Sequence, residues 1–108
     1  MLTAVYMGRS RTYITEPVFM YDSNVRLRIN NAPTDPYIVE LANGQKLPVE
    51  NDVVLIPDEQ FTSKGNVEMY IVVIDGKAVN TLCKIVVPVT WRPARDSVST
   101  DNVMDTGG

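Results

Sequence analysis

Residues 53–93 read VVLIPDEQFTSKGNVEMYIVVIDGKAVNTLCKIVVPVTWRP, three apolar runs joined by a proline-led turn and a hairpin signal. The runs at 53–56, 67–74 and 79–91 are rich in β-branched side chains and carry no helical periodicity, so each is expected to be a strand. Between the first two, Pro57 presets φ and Asp58-Glu59 puts negative charge where a helix N-terminus favours it. A single helical turn is expected through Phe61, with Gly65 near its exit and the phenyl ring plugging one end of the core.

The second and third runs constrain each other's register. Pairing Val73 with Val79 sets Met69 opposite Cys83 and Val67 opposite Ile85 on one face, and Glu68 opposite Lys84 on the other. A two-residue turn at Asp75-Gly76 shifts the pairing by one and turns Glu68 towards the core without a partner. An odd-length loop is therefore expected.

Upstream, turn signals recur at short intervals between alternating runs, as in a β-sandwich or barrel. Val25-Arg26-Leu27-Arg28-Ile29 alternates most cleanly. Residues 30–36 hold two prolines and several side chains that bond their own backbone, which makes a loop. A strand resumes at 37–42, Asn43-Gly44 is expected to form a type I′ turn, and Pro48 confines the return strand to a sheet edge.

Composition bounds the function. A chain of 108 residues makes one domain able to bury roughly 65% of its unfolded surface, enough for a core without staples. The single cysteine, Cys83, closes no internal disulfide, and residues 1–7 read as a strand-like run rather than a secretory leader, so folding in a reducing cytosol is expected. No apolar run approaches the ~20 residues of a membrane helix. The net charge of -3 argues against nucleic acid as a partner. Arg9, Arg11, Arg26 and Arg28 form a basic patch only if the first strands bring them together; otherwise they are an ordinary solvent face.

Chemistry is sparse. Without histidine the chain has no Ser-His or Cys-His pair, no imidazole metal ligand and no base titrating near neutrality in its unperturbed state. Cys83 falls mid-strand on the predicted core face, where a thiol is inert packing. Asp58-Glu59 serve a turn better than acid–base work. Asp101, Asn102 and Asp105 lack the spacing and the closing Glu of a calcium loop. No cofactor or metal is expected. Trp91 with Tyr37 or Tyr70 could offer an aromatic platform for a sugar, although core or rim packing suits Trp91 better.

Two surfaces point outward to partners. Tyr70, Val72, Ile74, Leu82 and Val86 give the hairpin a second apolar face, which the other sheet, the N-terminal strands or a neighbouring subunit must cover. Residues 92–108 are polar, start with Arg92 and Arg95, and lack the apolar content to be held by a sandwich spanning 1–91.

The succession of Ile56-Pro57-Asp58-Glu59, a short turn ending at Gly65, a strand with Tyr70, the Asp75-Gly76 hairpin, a long strand and Arg92-Pro93 resembles the small immunoglobulin-like N-terminal domain of bacteriophage fibre and baseplate proteins, of head-fibre or upper-baseplate type. The resemblance covers about the second half of the chain. It implies an immunoglobulin-like antiparallel β-sandwich with one short helical turn, acting without catalysis as a virion component that anchors or decorates capsid or tail. The implied partners are other virion proteins, in several copies, with assembly in the host cytoplasm. The contact residues then expected are Tyr70, Val72, Ile74, Leu82, Val86, Arg92 and Arg95. Two other readings stand beside it: a carbohydrate-binding module using Trp91 and a tyrosine, and a small inhibitor of a host enzyme.

Overall fold

The computed structural model describes residues 1–93; residues 94–108, Arg95 and most of the expected tail among them, lie outside the described residues. The strands in chain order are β1 (Leu2–Val5), β2 (Thr12–Ile14), β3 (Val18–Phe19), β4 (Val25–Asn30), β5 (Tyr37–Leu41), β6 (Lys46–Leu47), β7 (Val53–Ile56), β8 (Gly65–Asp75) and β9 (Ala78–Thr90), with a 3-10 turn at Asp58–Phe61. They form an all-β sandwich. One sheet has the order β1-β4-β7, and the other runs β2-β9-β8-β5-β6, with β3 also on β9. The arrangement of β4-β7 against β9-β8-β5 corresponds to the B-E and G-F-C order of immunoglobulin sandwiches. Four pairings are antiparallel, as expected, whereas β1 on β4 and β2 and β3 on β9 are parallel.

One apolar cluster joins the sheets. Ala4, Leu27, Ile29, Val54 and Ile56 from the small sheet meet Val39, Leu41, Met69, Ile71, Ile85 and Val87 from the large one, all essentially buried. The alternation of β4 delivers Leu27 and Ile29 inward and leaves Arg26 and Arg28 exposed.

The β8–β9 hairpin departs from the expected register while keeping its consequence. Asp75 pairs with Ala78, so the loop is the two residues Gly76-Lys77, not an odd-length loop. Gly76 takes φ 60 at the first central position, where a two-residue turn of II′ type places glycine. Continued unchanged, that pairing would face odd residues of β8 with even residues of β9. A bulge corrects it: Val72 pairs with Thr81 but Ile71 with Cys83, leaving Leu82 as the extra residue. Below the bulge Met69 lies opposite Ile85 and Val67 opposite Val87, two residues along from the expected Cys83 and Ile85. Glu68 lies opposite Val86, yet its carboxylate still reaches Lys84 diagonally at 3.2 Å.

The Asn43-Gly44 hairpin also uses different turn chemistry. Gly44 N donates to Leu41 O at 2.8 Å and Leu41 N to Gln45 O at 2.8 Å, which encloses the three residues Ala42, Asn43 and Gly44. Only Gly44, at φ 93, is left-handed there, so this is a type I turn followed by a left-handed glycine rather than a type I′ turn. Asn43 instead accepts from Gln45 N through Oδ1 at 2.8 Å. β6 is the edge of its sheet, as Pro48 requires.

Phe61 is fully buried, and its carbonyl accepts from Tyr21 N at 2.7 Å. Asp58 Oδ1 accepts from Asn24 N at 3.1 Å, so the 3-10 turn and the 20–24 loop lock each other at one end of the sandwich. Replacing Phe61→Ala empties this position and is expected to cost about 3–5 kcal/mol, measured as a lowered urea midpoint with an unchanged slope.

Candidate partner-binding surface

β7 is an open edge where immunoglobulin sandwiches continue into a D strand. Ile29 N donates to Asp52 O, and by alternation the backbones of Val53 and Leu55 face away from β4. Val53 exchanges both of its bonds with Glu50, at 3.0 Å each, and Pro57 carries no N–H, so among the described residues Leu55 alone on this edge keeps ladder groups without a partner. The edge is therefore too short to recruit another strand. Partner contact falls to side chains.

The outer face of the large sheet holds most of the expected contact residues. Val72 is 1% and Val86 8% exposed, although neither belongs to the core cluster. In-plane neighbours shield them: Ile38 and Thr81 flank Val72, and Ile14 and Glu68 flank Val86. Neither the other sheet nor an N-terminal strand lies across this face; β2 and β3 extend it sideways along β9. Tyr70 and Leu82 are half-buried, Ile74 is exposed, and a row of Lys84, Tyr70, Glu40 and Lys46 crosses the middle of the sheet. Glu40 and Lys46 approach to 4.0 Å. Arg92 is half-buried and donates from Nε to Pro93 O at 3.3 Å.

Among the described residues, Ile74, Val79, Phe19 and Trp91 are exposed at the two ends of the hairpin, while Met1, Met7, Ile14 and Leu55 are exposed elsewhere. At the tip, Ile74 and Val79 form a cross-strand pair, 47% and 63% exposed. At the base, Phe19 pairs with Thr90 beside Trp91, and these aromatics are 52% and 62% exposed. Sequence reasoning passed over Val79, Phe19 and Ile14. β2 and β3 span only three and two residues, too few to show a period, and their faces become visible only through pairing with β9.

The four arginines do not form one patch. Arg26 and Arg28 project from the small sheet, while Ser10 N donates to Leu82 O and Lys84 N to Arg11 O, fixing the 9–11 segment on the edge of β9. Among the described residues no group of three or more histidine, cysteine, aspartate or glutamate side chains could hold a metal ion. No helix among them is long and apolar enough to cross a membrane. An aromatic platform from Trp91 and Tyr70 is ruled out by register: Tyr70 pairs with Lys84, seven residues or roughly 23 Å along β9 from Trp91, and Tyr37 lies farther still.

Among the described residues two titratable groups are shifted. Burial pushes the Cys83 thiol up, while a hydrogen bond with the Ile71 backbone pulls the other way. Burial chiefly, then the hydrogen bond to Asp52, push the Tyr37 phenol up from 10.0; its hydroxyl donates to Asp52 Oδ1 at 2.9 Å. No family model matches the chain, and no curated protein matches it.

Cys83 is expected to react with a thiol reagent only at the rate of unfolding, checked by comparing labelling in native buffer and in urea. For Tyr37, the raised phenol contributes stability that is complete below pH 10.0 and is lost as pH rises towards its folded value. Stability of the wild type should therefore fall more steeply above pH 10.0 than that of Tyr37→Phe, as read from urea midpoints.

Proposed function

We propose that this chain is a non-catalytic structural component of a bacteriophage virion, a β-sandwich that anchors or decorates the capsid or tail through protein-protein contacts in several copies. The observation that carries this reading is the exposure of large apolar side chains at both ends of one hairpin, the cross-strand pair Ile74 and Val79 at the tip and Phe19 and Trp91 near the base. Large apolar side chains left in water at the ends of a hairpin are what a subunit presents to neighbours. The hairpin is stiffened by ladder pairing along its length and by core burial of one face. It holds the clusters at a fixed separation, which suits a part that bridges other subunits.

The resemblance of residues 56–93 to phage fibre and baseplate domains supplies the kind of assembly. Other virion proteins are then the partners, and the particle, built in the host cytoplasm, is the location. Within this reading Ile74 remains a contact residue and Val79 joins it, while Val72 and Val86 support the sheet.

Mass spectrometry of purified particles should find the chain, with cross-links from residues near 74–79 to a capsid or tail subunit. Ile74→Asp/Val79→Asp, on a surface that leaves the core intact, is expected to lower incorporation by at least about tenfold. Recovery of the chain as a solitary monomer in infected cells, absent from particles, overturns the reading.

A further inference from the structure

We propose that two copies of this chain pair through β1, antiparallel about a two-fold axis beside Ala4, so that their three-stranded sheets join into one. This contact goes beyond the virion reading and does not need it. Tyr6 N donates to Asn30 O at 2.9 Å, continuing the parallel pairing of β1 with β4. A strand turns the N–H and C=O of alternate residues to the same side, so Leu2, Ala4 and Tyr6 serve β4 while Thr3 and Val5 face the free edge. Leu2 and Ala4 are buried and Thr3 is exposed. Among the described residues neither the N–H nor the C=O of Thr3 and Val5 has a partner.

Among the described residues the other sheet edges are guarded. The Glu50–Val53 bridge and Pro57 close β7. β6 is two residues long, contains Lys46 and runs into Pro48; β2 is three residues long and lies between Arg11 and Glu16-Pro17; β3 is two residues long and follows Pro17. Charge, proline and shortness are the devices that keep an edge from pairing. Residues 1–7, MLTAVYM, have no charged side chain and no proline. β1 is thus both the edge open to an added strand and, among the described strands, the one fit to be added.

Self-complementarity selects a second copy as the occupant. With Thr3 opposite Val5 of the second copy, every outward backbone group of the two residues gains a partner, and the two-fold axis repeats the exchange. Alternation puts Met1, Thr3, Val5 and Met7 on the outer face, and the same register sets Met1 against Met7 of the second copy. These methionines are 73% and 51% exposed in the single chain, and each would cover the other. The register also brings Arg9 of the second copy to the end of β1 where Glu16 lines a cleft with Met1 and Leu2. Neither the Arg9 nor the Glu16 side chain has an ion-pair partner among the described residues. Opposite charges therefore meet at both ends of a neutral seam, and no like charges are set together.

Sedimentation velocity of the full chain tests it. The wild type should be a dimer. Thr3→Lys/Val5→Lys and Thr3→Glu/Val5→Glu each set like charges opposite one another across the axis and should weaken association by at least about tenfold; an equimolar mixture of the two sets opposite charges together and should restore it. That pattern belongs to a strand that meets its own copy. Circular dichroism checks that the variants fold. If they do not, hydrogen exchange of the wild type decides: the Thr3 and Val5 amides should be protected in the dimer and lose that protection on dilution. A monomeric wild type, variants that associate like it, a mixture that stays apart, or Thr3 and Val5 amides that exchange alike at every concentration overturns the proposal. A dimer that is absent from purified particles removes the virion reading and leaves this contact standing, whereas a monomer found in particles does the reverse.

Discussion

The parity of the β8–β9 pairing governs the sandwich. Val67, Met69 and Ile71 reach the core together with Cys83, Ile85 and Val87 only if odd residues face odd residues, and the two-residue Gly76-Lys77 turn by itself imposes the opposite. One unpaired residue, Leu82, reconciles the two demands. Had the strand run on without it, Glu68 and Lys84 could not share the solvent face with their charges in contact, and a carboxylate would lie in the core. A local turn preference and a global hydrophobic requirement conflict here, and burial wins because it involves six side chains where the turn involves two residues.

Around that hairpin the rest of the chain closes the layers. β1 pairs with β4 in the small sheet, and the chain then crosses so that β2 and β3 run along β9 in the large one. This crossing ties both sheets at the N-terminal side, while the 3-10 turn seals one end with Phe61. The open β7 edge is closed to pairing by the Glu50–Val53 bridge and by Pro57, which protects a small sheet of only three strands from adding another.

These constraints sort the outer surface. In-plane neighbours shield Val72 and Val86, and the charged and phenolic row across the sheet keeps its centre wet. Ile74 and Val79 stay exposed at the hairpin tip and Phe19 and Trp91 near its base, while Arg26 and Arg28 leave the small sheet on its outer side. The surfaces proposed for partners are thus what remains after the core and the ladders have taken the side chains they need.

The strands other than β2 and β3, the proline-led turn, the buried Cys83 and Phe61, and the loop at 30–36 were legible in the sequence, because alternation, proline geometry and apolar runs act over a few residues. The all-β class follows from them. Turn length at Gly76, the bulge at Leu82, and the parallel pairing of β2 and β3 were decided only by tertiary structure. Each depends on which distant strand lies alongside, and strands of two or three residues carry no period of their own. For the same reason the sequence presented Tyr70, Val72, Ile74, Leu82 and Val86 as one apolar face. Whether a side chain meets water depends on the neighbours that pairing brings beside it, and pairing is a property of the assembled sheet.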